Sequence, residues 1–251
     1  MKKKRYLLVD GIRGLAIVNM VAFHFLYDVY VVFGRNLEWY VLPGIRIWQQ
    51  AICWTFILVA GFVWRFGKEN NFRRGVFFHL CGGGVSLVTW LVAPKEVVWF
   101  GILNFMGSAV LFMAPLCKLF RKIPAWFGMI ASIICFALFQ EVQKGYLGIG
   151  GKVFFELPEG LYRIKILTPF GFPFPDFSSS DYFPLFPWLF LFLTGYFLYP
   201  LLKESKFWKR VGEKRIPLFS GIGQKSIWIY LAHQPICMGV ISIYAWLLRS
   251  L

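Results

Sequence analysis

The sequence predicts an all-α fold: a polytopic membrane helical bundle of about seven transmembrane helices with a cytoplasmic N-terminus. Three observations carry that expectation. Of the 251 residues, 58% are apolar and 20% aromatic while only 16% are charged, whereas water-soluble domains carry about 25% charged residues. Seven apolar runs approach the length a spanning helix needs, at 11–33, 47–66, 75–93, 97–117, 123–139, 185–202 and 227–248. The 27 basic residues outnumber the 12 acidic ones, for a net charge of +15, and they gather in alternate connections between the runs. The same composition excludes intrinsic disorder and secreted disulfide scaffolds.

The first run follows Met-Lys-Lys-Lys-Arg and so imitates a signal peptide, but it is too long and no small-residue cleavage site follows Phe33. It reads as a retained helix. With the N-terminus inside, 18 basic residues fall in the segments 2–5, 65–74, 118–122 and 203–225, and eight fall on the other side. The positive-inside bias therefore sets seven spans in a cytoplasmic membrane, and explains the basic charge better than nucleic acid does.

The connection 140–184 is the only long one and is rich in Gly, Pro and Phe. Within 151–170, Lys-Val-Phe-Phe-Glu-Leu and Tyr-Arg-Ile-Lys-Ile-Leu alternate imperfectly, which suits either a short strand pair or a re-entrant segment. No repeat or linker divides the chain, so 1–251 reads as a single membrane domain. Cys53, Cys81, Cys117, Cys135 and Cys237 sit in apolar runs without CxxC spacing and read as reduced packing residues.

Ionisable residues inside spans are costly and point to function. In the first helix, Arg13 and His24 are 11 residues apart, a separation that places both on one face about 16 Å apart along the axis. Asp28 lies at i+4 from His24, positioned to accept a ring N–H and fix its tautomer, the arrangement of base and orienting acid used in acyl transfer. The alternative is a buried polar pair that glues helices, with Arg13 snorkelling to headgroups. In the last helix, Pro235 of His233-Gln234-Pro235 removes a backbone donor, so the kink either lines a site near His233 or is purely structural.

His79, near Arg73 and Arg74, reads as structural or interfacial. Asn104 lies between Gly101 and Gly107, which suits close packing with one interhelical hydrogen bond, or a ligand contact. Asp181 precedes the sixth helix and serves either an acceptor or a helix N-terminus. The basic segments 65–74 and 203–225 attract anionic lipid headgroups or a phosphate-bearing cosubstrate such as coenzyme A. Phosphate-binding, dinucleotide, HExxH metal and GxSxG signatures are missing, and no metal site is expected.

Five stretches carry a resemblance: Asp10-Gly-Ile-Arg13-Gly-Leu-Ala-Ile, His24-Phe-Leu-Tyr-Asp28, Phe100-Gly-Ile-Leu-Asn104-Phe-Met-Gly, Asp181-Tyr-Phe-Pro-Leu-Phe-Pro-Trp188, and Gly223-Gln-Lys-Ser-Ile-Trp-Ile-Tyr-Leu-Ala-His233-Gln-Pro235. In that order, over nearly the whole chain, they resemble bacterial proteins related to the heparan-α-glucosaminide N-acetyltransferase catalytic domain. The spacing of Arg13 and His24 is also similar to the first-helix motif of membrane O-acyltransferases that decorate bacterial surface polysaccharides. One departure stands out: members of the first group often carry His where this chain has Asn104.

The resemblance implies a helical bundle that takes an acyl group, typically acetyl from acetyl-CoA on the cytoplasmic side, and passes it to an acceptor, typically a sugar. His24, Asp28 and Arg13 are the expected catalytic residues: His24 deprotonates the acceptor or carries the acyl group, and Arg13 stabilises a phosphate or the thioester carbonyl. His233, Arg73 and Arg74 are expected at the acetyl-CoA, and Asp181 and Asn104 at the acceptor. Membrane lipids and a small-molecule or glycan acceptor are the expected partners, nucleic acid is not, and a homo-oligomer is left open. The rivals are a proton-coupled transporter or flippase using the same Arg13, His24 and Asp28, and a scaffold whose polar groups only hold helices together.

Overall fold

The computed structural model describes residues 6–34, 36–66 and 71–249. The expected basic cluster at 2–5, together with Arg35 and Lys68, lies outside the described residues. Among the described residues the protein is all-α apart from one small hairpin, and seven helices are long and apolar enough to cross a membrane. Those spans run Leu7–Phe33, Pro43–Arg65, Phe72–Val92, Ile102–Phe120, Ala125–Lys144, Leu185–Lys203 and Ser226–Leu247. Each matches one of the seven apolar runs.

The two largest boundary differences are the end of the fifth span, expected at 139 and found at Lys144, and the start of the fourth, expected at 97 and found at Ile102. Phe100, at φ 55, breaks the helix, and the extended chain before it is tied to the long connection. Ser180 N–H donates to the Val97 carbonyl at 3.1 Å and Phe183 N–H to the Phe100 carbonyl at 2.9 Å. Backbone groups that already have partners there have no need of a helix.

The chain divides into two compact units, Met1–Phe56 with Glu204–Leu251, and Ile57–Lys203. The first holds α1 (Leu7–Tyr27), a π-helical turn (Asp28–Phe33), α2 (Leu37–Val41), the start of α3 (Pro43–Phe66), and, after the second unit, α8 (Lys206–Val211), α9 (Phe219–Gln224) and α10 (Ser226–Arg249). Its core is Ile17, Met20, Phe23 and Ile52, with Trp39, Trp48 and Tyr230 packed against them.

Here α1 and α9 cross at backbone contact, and glycines permit it. A Cβ on Gly14 would lie 1.9 Å from the Phe219 carbonyl oxygen, and one on Gly223 would lie 1.8 Å from that of Asp10. The glycines of the Asp10-Gly-Ile-Arg13-Gly and Gly223-Gln stretches are thus packing requirements. Gly223→Ala is expected to destabilise the protein by about 2 kcal/mol through overpacking. Gly221→Ala in the same helix, where an added Cβ would meet nothing within 4 Å, should be neutral or slightly stabilising. Thermal unfolding midpoints of the two variants check this contrast, and equal midpoints would contradict it.

The second unit holds the rest of α3, α4 (Asn71–Val92), α5 (Ile102–Phe120), α6 (Ala125–Leu138), the strands β1 (Tyr146–Ile149) and β2 (Lys152–Glu156), and α7 (Leu185–Lys203). Helix α7 is its centre, with Phe192 and Tyr196 fully buried. The guanidinium of Arg65 donates to the Tyr196 hydroxyl and stacks 4.5 Å from that ring's centroid, so the ring face stabilises the charge.

A strand pair does form in the long connection, but not between the two segments expected. β1 and β2 pair antiparallel around Gly150 and Gly151, whose φ of 59° and 84° suit a two-residue turn. Residues 162–167 instead form 3₁₀ turns, Glu159–Arg163 and Lys165–Phe170. The Gly-Gly turn brings the preceding segment, not the following one, against β2. All five cysteines are free thiols.

Candidate active site

The first unit places three of the expected site residues together. His24 in α1 and His233 in α10 lie with ring centroids 4.8 Å apart and planes at 59°. His233 is buried. Its Nδ1 contacts the Tyr230 carbonyl, and because a carbonyl oxygen only accepts, Nδ1 carries the proton. Nε2 therefore presents a lone pair, and it has no hydrogen-bond partner among the described residues. His24 forms no hydrogen bond among the described residues and packs edge-on against Phe23.

Asp28 does not orient His24 as the i+4 spacing suggested. Its carboxylate is fully buried and accepts from the Gln234 amide, at 2.9 Å to Oδ1 and 3.1 Å to Oδ2. The physical reason is a competing tertiary donor. The backbone relation itself holds, since the Asp28 N–H donates to the His24 carbonyl, but the carboxylate turns to the amide donor that Gln234 presents from α10, just where the π-helical turn begins. The orienting role expected of Asp28 toward His24 is filled, for His233, by a backbone carbonyl. Gln234 is a site residue that the sequence reading passed over. Its signal was an uncharged amide one residue before Pro235 in an apolar helix.

Arg13 is held at the start of α1 by Asp10, at 3.5 Å. Because α1 is an unbroken helix from Leu7 to Tyr27, the 11-residue offset to His24 keeps the two about 16 Å apart along the axis. Arg13 is not at the histidine pair. A polar contact also missed from sequence joins α1 to α3, where Trp48 Nε1 donates to Asn19 Oδ1 at 3.0 Å.

The other expected residues belong to the second unit. Arg73 is exposed and Arg74 half-buried in the first turn of α4. Asn104 packs against α4 at Gly82, whose added Cβ would fall 2.3 Å from Asn104 Oδ1. The interhelical hydrogen bond expected of it is not formed among the described residues. The nearby interhelical polar contact is His79 Nε2 to Ser108 Oγ, at 3.4 Å. Asp181 accepts from the Ile102 N–H at 3.4 Å, so it serves the N-terminus of α5 and not that of the helix it precedes.

Burial raises the Asp181 carboxyl to about 6, opposed by the Ile102 N–H. The folded state thus holds this proton more tightly than the unfolded chain, whose carboxyl titrates near pH ~3.9. Stability from this group is present at low pH and is lost as pH rises from about 4 to about 6. Asp181→Asn is expected to flatten that part of the thermal midpoint profile, and an unchanged slope would contradict the assignment.

With this geometry in place, one comparison is decisive. The family model for the heparan-alpha-glucosaminide N-acetyltransferase catalytic domain matches residues 5–235. The chain belongs to that family. It is therefore a multi-pass membrane protein of a membrane acetyltransferase family whose donor is acetyl-CoA. No curated protein and no solved structure matches the chain. Within this family member, the matched region ends at Pro235, directly after His233 and Gln234, so it includes both ends of the paired-histidine site.

Proposed function

We propose that this protein transfers an acetyl group from cytoplasmic acetyl-CoA to the hydroxyl or amine of a sugar or similar acceptor, in a cytoplasmic membrane with its N-terminus inside. The observation that carries this reading is the contact of His24 with His233 inside a member of an acetyltransferase family. Two imidazolium rings at 4.8 Å would repel by about 3 kcal/mol at an effective dielectric of about 20. The pair therefore holds no more than one proton beyond the neutral state of both rings.

His24 meets the acceptor and takes its proton as the acceptor oxygen or nitrogen attacks the thioester carbonyl. His233, its tautomer fixed by the Tyr230 carbonyl, shares the charge through its free Nε2. The carbon–sulfur bond then breaks, and the coenzyme A thiolate leaves with the proton, which returns the pair to neutrality. The same groups also serve a two-step route in which His24 attacks the thioester and carries the acetyl group. Arg13, about one pantetheine arm's reach from His24, pairs with a donor phosphate.

The test is release of free coenzyme A thiol from acetyl-CoA by the full chain in nanodiscs, with and without a crude envelope extract as acceptor. Release that depends on the extract supports the proposal. Proton-driven uptake of a solute into liposomes with no acyl-CoA consumed would contradict it.

A further inference from the structure

The long connection carries an apolar surface that neither the paired-histidine site nor the helix packing uses. All five residues of β2 are exposed, including Val153 at 50%, Phe154 at 62% and Phe155 at 60%. A two-stranded ribbon is marginal in water without something covering its apolar residues. We propose that this hairpin is a membrane-interface anchor, and that β2 lies in the boundary between headgroups and acyl chains of the leaflet where α6 ends.

Four observations select a lipid surface as the partner. The span containing α6 runs to Lys144 and β1 begins at Tyr146. Leu157 N–H closes the base of the ribbon by donating to the Gly145 carbonyl at 2.8 Å, and β1 packs against α6. The ribbon is therefore fixed to the end of a span, and at about 3.3 Å per residue its tip reaches no more than about 15 Å from it. That reach is comparable to the interfacial layer of a bilayer.

The pairing also has an irregularity. Leu147 faces Phe155 and Gly148 faces Val153, which leaves Phe154 as the extra residue of a bulge that bends the exposed strand. Charge is balanced across the strand, with Lys152 at one end and Glu156 at the other, so the surface suits an apolar boundary more than an anionic headgroup cluster. Finally, the helix that carries the ribbon presents a face suited to lipid. Trp126, Phe127, Ile130, Ile133 and Ile134 form an exposed apolar row on α6. The outer edge of a two-stranded ribbon also offers a seat for a second copy of the chain, and the test separates the two.

Phe154 is replaced by the photoreactive residue p-benzoylphenylalanine in the full chain, reconstituted in nanodiscs of phosphatidylethanolamine with phosphatidylglycerol. After illumination, intact-protein mass reports what has been captured. Trp126, on the exposed face of α6, is the lipid-facing reference, and Glu159, whose side chain is 90% exposed, is the polar reference. Phospholipid capture at 154 is expected within about threefold of that at 126 and at least about fivefold above that at 159. Capture at 154 no higher than at 159, or a crosslink from 154 to a second copy of the chain, would overturn the proposal. Because Phe154 is exposed, the replacement leaves the fold intact, which an unchanged thermal midpoint confirms.

Discussion

His24→Ala is expected to lower acetyl transfer by about 10²–10⁴-fold, the usual contribution of a positioned acid–base group, with the thermal midpoint nearly unchanged. The stability half of this expectation follows from the surroundings of His24, which makes no hydrogen bond among the described residues and whose ring contacts are Phe23 and His233. The activity half follows from the pair. His233→Ala removes the second ring, and if the two act as one unit the double variant should lose little more than His24→Ala alone. A scaffold role predicts the opposite pattern: lowered midpoints and unchanged chemistry. Steady-state rates and midpoints for the three variants, measured side by side, separate the two accounts. Multiplicative losses would mean that the rings act independently.

Gln234→Leu is expected to cost about 1.5–3 kcal/mol. It removes the amide donor to the fully buried Asp28 carboxylate, whose two oxygens both accept from it, and that is the cost of a lost hydrogen bond to a buried charged group. Asp28→Leu together with Gln234→Leu should cost less than the sum of the two single substitutions, because the hydrogen bond between them is then lost only once. Chemical denaturation of the detergent-solubilised variants checks the cycle. The coupled clasp also ties the π-helical turn after α1 to α10, so Gln234→Leu should lower activity as well, by shifting His233 relative to His24. Additive costs in the double variant would show that Asp28 and Gln234 do not depend on one another.

The seven spans were legible because lipid imposes a simple demand: about 20 apolar residues in a row, read without knowledge of any partner. Helix ends were less legible. The start of the fourth span depends on bonds from Ser180 and Phe183, residues about 80 positions further along the chain. The hairpin had a local signal in Gly150-Gly151, but the alternation of residues 162–167 drew attention to the wrong partner strand.

The site divides in the same way. His24, Asp28 and His233 were visible as costly groups within spans, and the structure brings all three to one place. Their partners were not visible. The i+4 backbone relation holds, with the Asp28 N–H on the His24 carbonyl, yet the Asp28 carboxylate finds its donor 206 residues away. Asp181 likewise serves a helix whose start lies 79 residues earlier. Periodicity reports which face a residue occupies, and only tertiary packing decides what it meets there.

The most direct test of the central claim follows labelled acetyl groups from acetyl-CoA in a single turnover of the full chain in nanodiscs, with a crude envelope extract present. For the wild type, label is expected to leave acetyl-CoA and appear in the acceptor fraction, and for His24→Ala it should stay on acetyl-CoA. Equal transfer by a folded His24→Ala protein, or no transfer by the wild type from any acyl-CoA, would contradict an acetyltransferase working through the His24 and His233 pair.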